Sequence, residues 1–453
     1  MSHDAAYKMR ILLLTALFAL SACTAQTGVP SDQGALAGSS GSAFAAETPQ
    51  TADLAAPRSS DYRVAAAFDV VTLGSGTSDG FYQIIPHEDG YANLCFTNYA
   101  AASRACVCSA PNCAHNTPAC SSYIETAGFS VFPAACEDRI LLVFSSYGYG
   151  SAASAPSRVE CMGLNGENRR LLFTFDPGIT LNDGALVSSD EIVLNGYQVS
   201  GSRVTSFIGA IGLDSGTYRE IASLENTSEN ARPNLFLRGV SSTGLIVKTM
   251  AAGEEGGVSS RVYELSFDGR TETELLSFTG NACYEEYNGK ELVYLRFGPD
   301  NIALCKRTGA AQQEEVVVEN IGSLPCVRAT DLPYNQDNLY IAGFIGDYVL
   351  LNHLWDDRYD EYGNISLRYT QYAVNLSDGT AREITLSNST MATQKPVAIM
   401  AECGDTLLVY AVEEVAGGVA YRRPGLITAQ DYLNSVPAYR MVQSPVEEAI
   451  RLA

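Results

Sequence analysis

Long apolar runs are missing from this 453-residue chain, and the longest, Ile11–Leu20, is too short to span a bilayer. Histidine is scarce, at four residues, and there is one tryptophan. With His3 in a leader segment, only His87, His115 and His353 remain for a histidine-dependent mechanism, which weighs against an enzyme. Basic residues number 29 against 51 acidic ones, a net charge of −22, and they never cluster. Nucleic acid and anionic lipid surfaces need Lys and Arg patches, so neither is an expected partner. No long segment places apolar residues at the helical period, which argues against a helical bundle. Gly74-Ser75-Gly76 opens no helix and belongs to no βαβ unit, so a dinucleotide loop is rejected as well.

What is present begins with the amino terminus. Lys8 and Arg10 precede the apolar run, and Leu20-Ser21-Ala22-Cys23 ends it with small residues and a cysteine. The segment resembles a bacterial lipobox. That resemblance implies a signal peptide over 1–22, lipidation of Cys23, a bilayer contacted through the acyl chain, and work on the extracytoplasmic face of the cell membrane. Residues 24–60 are rich in Ala, Ser, Gly, Thr and Pro and bury too little to offset the entropy of ordering. Residues 23–60 therefore read as a lipidated cysteine and flexible linker, with the domain in 61–453.

From Asp61 onward, short runs rich in Val, Ile, Leu, Tyr and Phe alternate with Gly, Asn and Asp turns, the pattern of an all-β chain. One unit recurs: a strand, a turn, then a strand with basic or hydroxyl residues. It is visible at Phe96–Tyr99, Cys161–Gly166, Ile211–Gly216, Tyr263–Gly269 and Tyr372–Gly379, and more weakly at Leu304–Gly309. Asn-Gly and Asp-Gly supply the positive φ of a tight hairpin. Copies every 40 to 70 residues or so predict a β-propeller of about seven blades, with six or eight compatible with the uneven spacing and a row of β-sandwiches as the rival. The expected closure is a last blade completed by a strand from the first.

Twelve cysteines are many, and removing Cys23 leaves eleven, an odd number. Five metal-capable side chains crowd into Cys106–Cys120. Cys108, Cys113, His115 and Cys120 would make a Cys3His tetrahedron suited to a structural zinc ion. Disulfides among these cysteines, or to Cys95, Cys136 or Cys161, are the equal alternative in an exported protein. The loop resembles that of propeller-type surface lipoproteins of Gram-positive anaerobes, a TolB-like group of unknown function with a Cys-x4-Cys-x-His-x4-Cys loop. Cys108, Ser109, Pro111, Asn112, Cys113, His115, Cys120 and Tyr123 match it, while Val107 and Ala110 depart. Leu426–Tyr439 is similar to that group's closing segment, with Leu433 where tryptophan is usual. The resemblance implies a lipid-anchored propeller and supplies no catalytic residues.

Two further segments merit weighing. Gly76-Thr77-Ser78-Asp79-Gly80 fits G-x-S-x-G, but a strand follows where a nucleophile elbow needs a helix, so a hairpin turn is expected. Trp355, Asp356, Asp357, Tyr359, Asp360 and Tyr362 set acids beside aromatics on what reads as a hairpin tip, a solvated loop with calcium or glycan binding as the functional alternative. The expected function is a binding or scaffold module at the cell envelope, engaging a glycan, peptide or protein. The alternative is a glycan-active enzyme using loop acids.

Overall fold

The computed structural model describes residues 61–66, 74–87, 90–146, 155–227, 232–252, 258–280, 282–299, 301–308, 313–328, 338–359, 365–389, 393–416, 419–445 and 448–451. The segments expected to be a signal peptide and linker, with Cys23 between them, lie outside the described residues.

The described residues form a β-propeller of seven blades. In chain order, each blade runs outward from the axis. Blade 1 comprises Gly74–Gly76, Gly80–Pro86, Tyr91–Asn98 and Ser103–Cys106; blade 2, Phe129–Ala135, Arg139–Ser146, Arg158–Gly163 and Arg170–Thr174. Blade 3 comprises Ala185–Val187, Glu191–Ser200, Arg203–Gly212 and Tyr218–Asn226; blade 4, Leu235–Val240, Gly244–Ala252, Val258–Ser266 and Glu272–Thr279. Blade 5 comprises Cys283–Tyr287, Leu292–Phe297, Ile302–Arg307 and Glu315–Val318; blade 6, Leu339–Ile345, Tyr348–Tyr359, Ile365–Asn375 and Ala381–Ile384. Blade 7 comprises Ile399–Cys403, Thr406–Ala416, Val419–Thr428 and Arg440–Met441.

Apolar packing makes these sheets a ring. Each cleft between neighbouring blades holds its own hydrophobic core, including the cleft between blades 7 and 1, where Phe81 and Tyr99 meet Leu408 and Tyr410. Both faces of a typical middle strand are thereby covered, which is why Ile140–Phe144 and Leu292–Leu295 are buried residue after residue instead of alternating.

The recurring turns are the joints of this ring. Gly166, Gly216, Gly269 and Gly379 sit between the third and fourth strands of blades 2, 3, 4 and 6, all at positive φ. A Cβ on any of them would come 2.2 to 2.7 Å from a backbone carbonyl at the outer strand of the preceding blade, at Val107, Leu172, Ile221 and Val317 respectively. These turns therefore demand glycine both for backbone conformation and for close approach. Basic residues reinforce the joints: Arg170 donates to the Leu213 carbonyl and Lys306 to that of Leu376.

Closure differs from the expected strand exchange. Blade 7 is built from its own strands and meets blade 1 through a parallel bridge between Ser103 and Gln443. Arg104 N donates to the Gln443 carbonyl at 2.8 Å, and Gln443 N to that of Ala102 at 2.9 Å. The first strand, Arg63–Ala66, instead pairs with Ala185–Val187, the innermost strand of blade 3. There it also packs against the innermost strands of blades 1, 2 and 4, so it lies in the central channel. Its small Ala65 and Ala66 fit that confined position, both buried, with Ser75 donating to the Ala65 carbonyl and Arg63 Nη2 to that of Ala135 at 2.8 Å. Tyr62 anchors the entry by stacking on Phe267 and donating to Glu191.

Candidate metal centre

The cysteine loop leaves blade 1 after Cys106 and returns at Tyr123–Glu125, which pairs with Tyr91–Asn93. Its two ends are fastened to one residue: Val107 N donates to the Leu94 carbonyl, and Leu94 N to that of Ser122, both at 2.9 Å. Ser121 Oγ closes the neck by donating to the Val107 carbonyl at 2.9 Å. Pinned this way, the segment folds back on itself and directs four side chains inward.

The ligand atoms of Cys108, Cys113, His115 and Cys120 all lie within 4.8 Å of one another. A tetrahedral zinc ion with bonds of about 2.0 to 2.3 Å requires ligand atoms about 3.8 Å apart, so only a small contraction separates this arrangement from a filled site. His115 Nδ1 already stands 3.2 Å from Cys120 Sγ. Asn112 and His115 both adopt φ of 57°, a left-handed conformation that Asn and His visit more readily than most residues. Asn93, buried in the third strand of blade 1, holds the site from behind. It donates to the His115 carbonyl at 2.8 Å, lies 3.3 Å from Ser122 Oγ, and contacts His87 Nε2 at 2.8 Å. Sequence reading missed Asn93 and Ser122, because nothing in their local pattern separates them from other strand residues.

Burial raises the Cys120 thiol to about 11, while Ser122 opposes the shift. At Cys108 burial also pushes upward, but bonds from the Ala110 backbone, Cys120, Ser121 and Cys113 outweigh it and the net shift is downward. The cluster thus offers a favoured thiolate beside a thiol that keeps its proton, and three thiolates together need a cation among them. Four protein ligands with no vacant position suit a structural ion.

Beside the cluster, Cys95 and Cys106 are direct cross-strand partners with Sγ atoms 3.8 Å apart. The bond to Cys95 is the leading cause of a lowered Cys106 thiol. Neither joins the four-ligand set, so blade 1 carries a separate dithiol beside the metal-type cluster of its loop.

The other sequence candidates fall elsewhere. Thr77–Asp79 is a hairpin turn between two strands of blade 1, as expected, and carries no nucleophile elbow. The Trp355 segment is a correction, since Trp355–Tyr359 continues a twelve-residue strand instead of forming a loop. Its backbone pairs with Ile365–Arg368 across the hairpin. Trp355 is half-buried, with Arg328 and Arg368 guanidiniums 5.2 and 5.9 Å from its ring. The side chains of Asp356, Asp357 and Tyr359, together with Asp360 and Tyr362, lie outside the described residues. His353 is fully buried, and burial lowers its pKa to about 4. Near the axis, Glu285 pairs with Lys248 at 2.5 Å and Glu286 with Arg238 at 3.1 Å, so these acids serve ion pairs.

No protein-family model matches the chain. No curated protein matches it either. Solved structures similar to it include an oligogalacturonate lyase in complex with manganese (TM-score 0.41, 11% identity, 81% of this chain and 89% of that one). Another is TolB from Acinetobacter baumannii (TM-score 0.36, 11% identity, 83% and 79%). A third is an acylaminoacyl peptidase in complex with Z-Gly-Gly-Phe-chloromethyl ketone (TM-score 0.37, 10% identity), where the match takes in 67% of this chain but only 45% of the peptidase.

Proposed function

We propose that this protein is an extracytoplasmic lipoprotein, acylated at Cys23, whose propeller binds an envelope glycan, peptide or protein, and whose first two blades are locked together by a structural zinc ion. The observation that carries the metal reading is the convergence of Cys108, Cys113, His115 and Cys120 within 4.8 Å, in a loop lying against blade 2. Arg169 of blade 2 donates to the Tyr123 carbonyl at 2.6 Å, and Gly166 abuts Val107, so fixing the loop fixes this junction. The binding reading is supported by a ring whose channel receives the chain's own strand and whose inner acids Glu285 and Glu286 are engaged by bases. The lipobox-like residues before Cys23 support the anchor.

Elemental analysis of the purified full chain is expected to find a single equivalent of zinc. Absence of metal together with oxidised Cys108 and Cys113 would refute the assignment. Intact-mass analysis of the native protein tests the anchor, with an unprocessed, unacylated amino terminus as the contrary result. In an oxidising compartment, Cys95 and Cys106 should form a cross-strand disulfide by exchange with a disulfide donor, because their sulfurs need approach only to bonding distance. Non-reducing peptide mapping is expected to recover that linked pair apart from the zinc ligands. Recovery of Cys95 and Cys106 as free thiols, or of either joined to Cys108, would contradict it.

A further inference from the structure

The cleft between blades 2 and 3 is closed near the axis by Phe132, Leu141, Ile192 and Leu194, but farther out it opens into a cavity of about 250 Å³. The cause is a pair of glycines on the blade 3 face turned towards blade 2. A Cβ on Gly209 would lie 2.4 Å from the Tyr218 ring, and one on Gly196 would lie 2.9 Å from that of Phe207. Each glycine thus leaves room for a ring beside the sheet, and both rings come near Phe175 of blade 2, at 6.0 and 6.1 Å. From blade 2, Phe173 stacks on Tyr218 at 5.5 Å and Phe175 meets Phe173 edge-on at 4.9 Å. Phe175 and Phe207 are buried, while Phe173 and Tyr218 retain exposed surface. Asp176 and Glu220, both exposed, are the charged residues of the lining, which also includes Thr174, Gln198 and Thr205 and no Lys, Arg or His. Ser223 Oγ donates to Glu220 at 2.7 Å, which steadies that carboxylate. Burial, and then the Glu220 charge, raise the Tyr218 hydroxyl above its ordinary value, so the carboxylate's field reaches the ring.

We propose that this cavity binds an organic ammonium group, either a free amine of choline size or a lysine side chain of a peptide. Aromatic rings attract a cation through their negative faces, and two carboxylates at the same mouth add charge attraction. An anion would be repelled by both carboxylates with no basic group to offset them, and a bare metal ion would gain little from four rings. The net charge of −22 also concentrates cations near the surface. A cavity of this size suits a small head group with a short aliphatic stem. The proposal depends on neither the lipid anchor nor the zinc ion.

The test titrates the full chain with choline, with N-acetyl-lysine methylamide, and with 3,3-dimethylbutanol, the uncharged counterpart of choline, by calorimetry and ligand-observed NMR. Saturable binding of choline or of the lysine amide, with the alcohol about tenfold weaker or more, is the expected result, and the better of the two cations identifies the source. A tenfold loss corresponds to about 1.4 kcal/mol, within the range for a partly desolvated cation over a ring. Glu220→Gln should weaken the cation by a similar factor and leave the alcohol unchanged, whereas Tyr218→Phe should retain both. Equal binding of choline and the alcohol, no saturable binding of either cation, or an unchanged affinity in Glu220→Gln would overturn the proposal.

Discussion

Cys113→Ser is expected to abolish stoichiometric zinc binding and to lower the stability of the blade 1 and blade 2 region by about 4 kcal/mol when free zinc exceeds its dissociation constant about a thousandfold. The reason is linkage: an ion held by the folded loop and not by the open one stabilises the folded form by RT ln(1 + c/Kd), where c is the free zinc concentration. Chelation of the unsubstituted protein should produce the same loss, and readdition of zinc should restore it only where Cys113 is intact. Hydrogen exchange provides the readout, with deprotection centred on Val107, Ser121 and Tyr123. Cys326→Ser, at a thiol in the blade 5 and blade 6 core away from the cluster, serves as the control that should leave metal content unchanged. Apparent affinity should also rise with pH. Cys120, pushed up to about 11 by burial, is protonated near neutrality without metal and must release its proton to bind, so acid favours the metal-free form. Equal stability in Cys113→Ser and the chelated and zinc-loaded parent would show that the cluster does not hold the loop.

Arg104→Ala is expected to cost about 3 to 4 kcal/mol, read from urea unfolding of the full domain. Arg104 is 2% exposed, and its guanidinium donates to Thr97 Oγ1 and Gln83 Oε1, each at 3.0 Å. Gln83 in turn donates to the Tyr410 hydroxyl of blade 7 at 3.0 Å. Removing the guanidinium takes a donor away from two buried acceptors and opens a cavity at the ring's seam. Among the described residues, closure rests on side-chain packing, the Ser103–Gln443 bridge and the Arg440 bonds to the Tyr99 and Ala100 carbonyls, so this seam lacks the full ladder of an exchanged strand. Arg104→Met, which restores volume without the donors, should recover part of the loss. A cost below about 1 kcal/mol for Arg104→Ala would show that the network contributes little to closure.

The fold was legible because its joints are chemically constrained. Asn165-Gly166, Ser215-Gly216, Asp268-Gly269 and Asp378-Gly379 recur because a turn at positive φ must also touch the preceding blade, and only glycine satisfies both demands. The Cys3His cluster was legible as a candidate because Cys108, Cys113, His115 and Cys120 fall within one short loop, a spacing that suited disulfides equally well until the structure brought all four together. Two things were not legible. The first strand, Arg63–Ala66, carries no mark that sends it to blade 3, since four small or basic residues pair equally well with any free edge. The aromatic cavity was hidden too, because Phe173, Phe207 and Tyr218 read as ordinary strand residues until packing brings two blades together.

Amino-acid order alone determined the strand-rich character, the turn chemistry, the spacing of the four metal-type ligands and the acidic balance, since each depends on residues close in the chain or on simple counts. Tertiary structure decided the number of blades, the way the ring closes, the pairing of Cys95 with Cys106 outside the ligand set, and the cleft between blades 2 and 3. Those features arise where residues far apart in the chain meet, and their energies depend on distances that no local pattern encodes.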